Sequence, residues 1–188
     1  TATVGADVEV VLAQGTVEGR AATSFETLRN TTPTKAVDDA MHAVRPDTIA
    51  KFLFTSGSTK MPKPVINTHR MWCANLQQIT LSMPVITEAP PIFVDWLPWN
   101  HTFGGNHNVG LTLKHGGTLY IDDGKPTAAL IGETLRNLRE IAPTLYFNVP
   151  TGFEMIAQAM KTDAELRRKL LSRVRLFFYS GAGLAQPV

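Results

Sequence analysis

Short apolar runs alternate along the chain with longer stretches in which apolar side chains recur every three or four positions. The runs Val8–Ala13, Phe52–Phe54, Val65–Thr68, Ile92–Leu97, Thr118–Ile121, Leu145–Val149 and Leu176–Tyr179 predict strands. Phe52–Phe54 and Ile92–Leu97 lack a polar alternation and read as buried. Helices are expected between them. Ser24 caps a short one at Phe25–Leu28, Asp38–Val44 ends before Pro46, and Arg70–Leu81 stops near Pro84. Val109–Lys114 reads as a helix end closed by Gly116 and Gly117. Leu130, Ile131, Leu135, Leu138 and Ile141 form a helical stripe within 128–141. Thr151 is expected to cap a helix to Lys161, Asp163 another over Ala164–Val174, and a further helix starts at Leu184. Segments 30–35, 98–107 and 122–126 are loops by their Pro, Gly and polar content.

Strands separated by helical patterns imply βαβ units. The fold class is therefore α/β, with a mostly parallel sheet flanked by helices. Ligands of such sheets bind beyond the carboxyl ends of the strands. Three of those ends carry unusual chemistry: 55–63, 98–107 and 180–183.

Composition narrows the picture. The 188 residues suffice for a domain with a sizeable core. Apolar content of 44%, charged content of 18% and a net charge of +2 describe an ordinary globular balance. The pI near 8.8 comes from dispersed Lys and Arg. The densest cluster, Arg167-Arg168-Lys169, lies beside Glu165 and reads as a solvated helix face, so no nucleic acid is expected as a partner. A lone Cys73 excludes internal disulfides and a cysteine metal cage, and fits a cytoplasmic location. No apolar stretch approaches the ~18 residues of a membrane span. The chain begins at Thr1 and ends at Val188 just after a Gly-Ala-Gly turn, which reads as a slice of a longer protein.

The first strand end gives way to small, hydroxyl-rich residues, Thr55, Ser56, Gly57, Ser58 and Thr59, followed by Lys60 and Lys63. Backbone N–H groups and hydroxyls in such a loop can point at phosphate oxygens, lysines supply point charges, and Gly57 admits close approach. A Ser/Gly stretch can also be a plain surface turn; the preceding strand and the following Pro62-Lys63 set this one apart. The spacing differs from Gly-x-x-x-x-Gly-Lys-Ser/Thr, which argues against a P-loop kinase or ATPase. At the second end, His101 follows Leu97-Pro98 and precedes Phe103 and His107. A histidine there can orient an acid or a phosphate, or simply satisfy local hydrogen bonds. The His101–His107 spacing fits no zinc motif, so no metal ligand is assigned. At the third, Ser180-Gly181-Ala182-Gly183 lets a flat ring lie against backbone, although plain αβ turns look the same.

In this order the three segments resemble the adenylate-forming superfamily of acyl-CoA synthetases, luciferases and peptide-synthetase adenylation domains. Thr-Ser-Gly-Ser-Thr-x-x-Pro-Lys matches its phosphate loop, Leu97-Pro98-x-x-His101-x-Phe103 its histidine motif, and 181–183 its adenine-packing stretch. The wording at 52–71 and 96–106 is most similar to feruloyl-CoA synthases. The resemblance implies residues 1–188 are part of the large N-terminal AMP-binding domain, without the C-terminal domain. It implies an acid–thiol ligase that turns an aromatic, hydroxycinnamate-like carboxylic acid into acyl-AMP with ATP and Mg²⁺, then transfers it to CoA. Thr55, Ser56, Gly57, Ser58, Thr59, Lys60 and Lys63 would grip the phosphates, with Lys63 and His101 in catalytic positions. Gly181, Ala182 and Gly183 would face adenine, and His101, Phe103 and His107 the acid. Lys60 and Pro64 stand where the family has glycines. That departure leaves open a catalytically inactive nucleotide-binding relative, and the shared adenylation step leaves open another acceptor. The family's Mg²⁺-binding Glu, ribose-binding Asp and C-terminal catalytic Lys find no match before Val188.

Overall fold

The computed structural model describes Gly5, residues 7–55 and residues 61–184. The chain forms two compact units, residues 1–45 and 46–188. In the first, β1 (Val11–Leu12) pairs in parallel with β2 (Thr23–Ser24). The expected strand from Val8 to Ala13 shrinks to two residues. Arg20 takes up backbone oxygen nearby, donating through Nη2 to the carbonyls of Gly5 and Val8. The Ser24 hydroxyl accepts from Thr27 N at 3.0 Å and caps α1 (Phe25–Arg29), as its position predicts. Helix α2 (Lys35–Ala43) begins three residues before the expected Asp38, directly after Thr34.

The second unit opens with an antiparallel ribbon of β3 (Ile49–Thr55) and β4 (Lys63–Thr68), in which Leu53 faces Val65 and Thr55 faces Lys63. The expectation of a buried Phe52–Phe54 is corrected here. Successive side chains point to opposite faces of the ribbon, so only Leu53 is buried, while Phe52 and Phe54 are 52% and 64% exposed. Pro64 sits inside β4 opposite Phe54 and has no N–H to give the ladder. Helix α3 (His69–Ser82) is capped by the Thr68 hydroxyl, which accepts from Met71 N, and gives way to a 3₁₀ turn over Pro84–Thr87.

Strand β5 (Ile92–Asp95) pairs in parallel with β6 (Thr118–Ile121), and β7 (Leu145–Asn148) with β8 (Leu176–Tyr179). Strands β5 and β7 lie side by side, joined at Thr144: its N–H donates to Ile92 O, and its hydroxyl accepts from Ile92 N at 2.8 Å. A π-helix (Thr102–Asn108) and α4 (Val109–Lys114) connect β5 to β6, and α5 (Ile131–Glu140) connects β6 to β7. Helices α6 (Pro150–Met160) and α7 (Ala164–Leu171) lie between β7 and β8. The parallel strands send alternate residues into two cores. Phe93, Leu145 and Phe147 join Leu76, Ile86 and Leu111 on one side. Val94 and Tyr146 join Leu138, Ile156, Leu166 and Leu170 on the other. Both faces of these strands are therefore covered, as in α/β sheets.

Three helix ends differ from expectation. Pro150 occupies the first turn of α6 after an extended Val149, so Thr151 is inside the helix and makes no cap. Helix α5 starts at Ile131 because 127–130 turn back on Thr127, whose carbonyl accepts from Leu130 N and Ile131 N. Helix α7 is capped by Asp163 as predicted, but stops at Leu171, where the Ser172 hydroxyl donates to Lys169 O.

Candidate functional site

The site begins where β5 ends. Asp95 is 3% exposed; its Oδ1 accepts from Leu97 N at 3.1 Å, which turns the chain out of the strand. Burial first of all, with a minor contribution from the Asp122 charge, raises the Asp95 carboxyl from 3.8 to about 6, against the hydrogen bond from Leu97 N and the nearby Asn108 side chain, which lower it. Asp122, at the end of β6, is equally buried but fully engaged. It accepts from Gly124 N, the Thr134 hydroxyl and Asn137 Nδ2.

The expected loop 98–107 is a loop only to His101. Residues 102–108 form the π-helix, a correction with a steric reason. Gly104 and Gly105 fold directly onto the preceding turn: a Cβ at Gly104 would stand 2.5 Å from Pro98 O, and one at Gly105 would overlap Trp99 O. Pro98 and the glycines read as loop signals along the chain, but in space they permit this contact. His101 caps the π-helix, its Nδ1 accepting from Phe103 N at 3.2 Å. In the neutral ring that bond leaves the proton on Nε2.

His107 stands in a nest of rings. Its centroid lies 5.0 Å from Phe147, 5.6 Å from Phe103, and 5.5 Å from Phe178, on which it stacks. Burial in this apolar nest lowers its pKa below the ordinary 6.5, opposed by the hydrogen bond between Nδ1 and Asn108 Oδ1 at 2.9 Å. The ring is therefore neutral at pH 7. With Nδ1–H donated to Asn108, Nε2 keeps its lone pair.

These groups surround a cavity of about 480 Å³ at the carboxyl ends of β5, β7 and β8. The order of size suits a small organic ligand. It is lined by Trp96, Pro98, His101, Thr102, Phe103 and His107, by Val149 and Phe178, by Asn75 and Ile79 of α3, and by Ser180 and Gly181. Gly181 has φ +98°, which favours glycine there. The cavity thus unites His101, Phe103, His107 and Gly181 of the sequence-predicted residues. Ala182 and Gly183 are exposed and outside its lining. Thr55 and Lys63 face each other across the end of the ribbon, both exposed. Ser56, Gly57, Ser58, Thr59 and Lys60 lie outside the described residues, as does any helix beyond Leu184. Sequence reasoning missed Trp96, Val149 and Phe178 as lining. The strand alternation that puts Leu176 and Phe178 on one face of β8 was the available signal for Phe178.

The ribbon is tied to the π-helix. Lys51 of β3 donates to Gly105 O at 3.2 Å and sits 3.8 Å from the Trp72 ring centroid. Trp72 Nε1 donates to Asn106 O at 2.8 Å, and Asn106 Nδ2 to Asn67 Oδ1 at 2.9 Å and Thr102 Oγ1 at 3.1 Å. Among the described residues, no group of three or more His, Cys, Asp or Glu stands together as a metal site, so no ligand for Mg²⁺ is assigned. None of the described helices is long and apolar enough to cross a membrane.

The fold is that of an α/β protein, and its candidate ligand cavity lies at the carboxyl ends of parallel strands. The chain belongs to the AMP-binding enzyme family, whose profile matches residues 3–188. It is 29% identical over 152 residues to the long-chain-fatty-acid–CoA ligase ACSBG2 of Xenopus laevis, covering 78% of this chain and 20% of that protein. It is 31% identical over 136 residues to the long-chain-fatty-acid–CoA ligase heimdall of Drosophila melanogaster, covering 70% of this chain and 20% of that one. The chain thus spans about a fifth of the length of these curated relatives. Among solved structures, a malonyl-CoA ligase with methylmalonyl-CoA and AMP bound matches with TM-score 0.62 and 25% identity, over 76% of this chain and 29% of that one. VinN in complex with L-aspartate matches in fold with TM-score 0.69 and 23% identity, over 95% of this chain and 45% of that one.

Proposed function

We propose that the chain is part of the large N-terminal domain of a cytoplasmic, AMP-forming acid–thiol ligase. Its substrate is an aromatic, hydroxycinnamate-like acid, and feruloyl-CoA synthase is the nearest activity. The observation that carries the reading is the cavity at the strand ends, walled by Trp96, Phe103, His107 and Phe178. Flat apolar walls and a neutral His107 favour an aromatic body over a second charge. The acid's carboxylate attacks the α-phosphate of ATP, giving acyl-AMP and pyrophosphate, and a CoA thiol then displaces AMP. Charge gathers on phosphate oxygens, so the protein acts chiefly by positioning and by aiming donors at them. Thr55, Ser56, Gly57, Ser58 and Thr59, with Lys60 and Lys63, hold the polyphosphate. His101 stands between acid and nucleotide, with Nδ1 engaged by Phe103 N so that the neutral ring carries its proton on Nε2. Gly181, Ala182 and Gly183 form the adenine wall, and Phe103 and His107 hold the acid. Mg²⁺ accompanies ATP and neutralises phosphate charge when bound.

A second reading, a long-chain fatty acid as substrate, is favoured by the names of the relatives. Acid-dependent ATP–pyrophosphate exchange by the gene-length protein separates the two. Exchange with ferulate and related cinnamates supports the proposal. Exchange with palmitate alone moves the assignment to fatty acids, and no exchange in a folded, ATP-binding protein identifies an inactive relative.

A further inference from the structure

The π-helix carries three of the residues around the cavity, yet its shape is not held by its own backbone alone. The wide turn presents the carbonyls of Gly105 and Asn106 to side chains from two other elements. Lys51, from the strand that leads into the phosphate segment, reaches the first, and Trp72 of α3 reaches the second. The two donors also hold each other, with the Lys51 ammonium 3.8 Å from the Trp72 ring centroid. Partial burial lowers the Lys51 pKa from its ordinary value, in keeping with these contacts. Trp72 fits there because residue 110 is glycine: a Cβ would stand 2.6 Å from its Nε1. Asn67, on the partner strand, ties the same turn through Asn106. A π-helical turn is rare and occurs mostly as a single turn joined to an α-helix, as this one is to α4, often at a functional site.

We infer that Lys51 and Trp72 are positioning residues that keep residues 102–108 in the π-helical form and so set the acid-binding wall made by His101, Phe103 and His107. Neither side chain lines the cavity. They act through the turn, and they join the wall to the ribbon whose far end bears Thr55 and Lys63. The inference rests on the acid site proposed above.

The test uses the gene-length protein and three variants: Lys51→Met, which keeps the stem and removes the donor and charge; Lys51→Arg, which keeps both; and Trp72→Phe, which removes the indole N–H and keeps an aromatic ring. Two readouts are taken: hydrogen exchange of peptides spanning 102–108, and KM for ferulate and for ATP in pyrophosphate exchange. Lys51→Met and Trp72→Phe are expected to speed exchange at 102–108 about tenfold while 145–148 stays protected. They are also expected to raise the ferulate KM about tenfold with the ATP KM within about twofold. Lys51→Arg restores both. Unchanged exchange at 102–108, or a shift in the ATP KM alone, overturns the inference. If Lys51→Met fails to fold, Trp72→Phe and Lys51→Arg carry the comparison. If the wild type uses no aromatic acid, the proposed substrate fails, and hydrogen exchange still decides whether the two side chains hold the turn.

Discussion

Replacing Asp95 by asparagine gives a quantitative test of the strand-end packing. The carboxyl is 3% exposed and receives one backbone N–H, from Leu97, while its Oδ2 has no well-formed hydrogen bond. Its pKa rises to about 6 in the folded chain from the ordinary 3.8. A raised acid binds its proton more tightly in the native state, so its contribution to stability is fully present below about pH 4. Between pH 4 and 6 the unfolded chain ionises while the native one does not. Stability then falls by about 1.36 kcal/mol per pH unit, and the loss ends once the pH passes 6. Over this window the total is about 3 kcal/mol, an order-of-magnitude figure for a buried group. The amide of the Asp95→Asn variant cannot ionise and keeps an acceptor for Leu97 N, so the variant lacks this loss. The difference in unfolding free energy between variant and wild type should therefore move by about 3 kcal/mol in the variant's favour from pH 4 to pH 7. Urea unfolding followed by tryptophan fluorescence measures it, since Trp72, Trp96 and Trp99 all lie in the second unit. A difference that stays constant with pH, or moves the other way, would refute the burial argument.

Three further outcomes are expected. Gly105→Ala drives a methyl into Trp99 O and should lower stability by about 1–3 kcal/mol in the same urea assay; a change under about 0.5 kcal/mol would mean the turn is not packed as described. Thr134→Val keeps the volume of a side chain that is 1% exposed but removes its hydrogen bond to the Asp122 carboxylate, and should cost about 2 kcal/mol, with Thr134→Ser recovering part of it. His101→Ala, at an exposed position, should lower acid-dependent pyrophosphate exchange about 10²-fold with little change in the urea midpoint; equal exchange would remove His101 from the mechanism.

The parallel part of the fold was legible because each strand is short, apolar and bounded by turn residues. Thr118–Ile121 and Leu176–Tyr179 occur as strands over the residues expected of them. Caps whose side chains accept from the third following N–H were legible too, as at Ser24 and Asp163. Thr151 misled because threonine at a helix start looks the same whether it is the cap or the second residue, and Pro150 settles which. The Phe52–Phe54 run misled in another way. Hydrophobicity along the chain does not say whether both faces of a strand find a partner, and in this ribbon only the Leu53 side does.

The π-helix was beyond the reach of pattern altogether, and the reason bears on how the cavity is made. Its stretch holds two glycines, two asparagines and a histidine, a composition that reads as loop by every local rule. Much of what makes it helical is distant in sequence: Lys51 and Trp72 donate to its carbonyls and Asn67 accepts from its asparagine, while the adjoining Trp99 is close enough to exclude a side chain at 105. The motif around His101 could be read as a set of chemical groups. Its placement of Phe103 and His107 against Phe147 and Phe178 depends on contacts that a linear pattern does not contain. A variant that keeps every motif residue but loses one of those distant donors should therefore retain the sequence signature and lose the wall of the pocket.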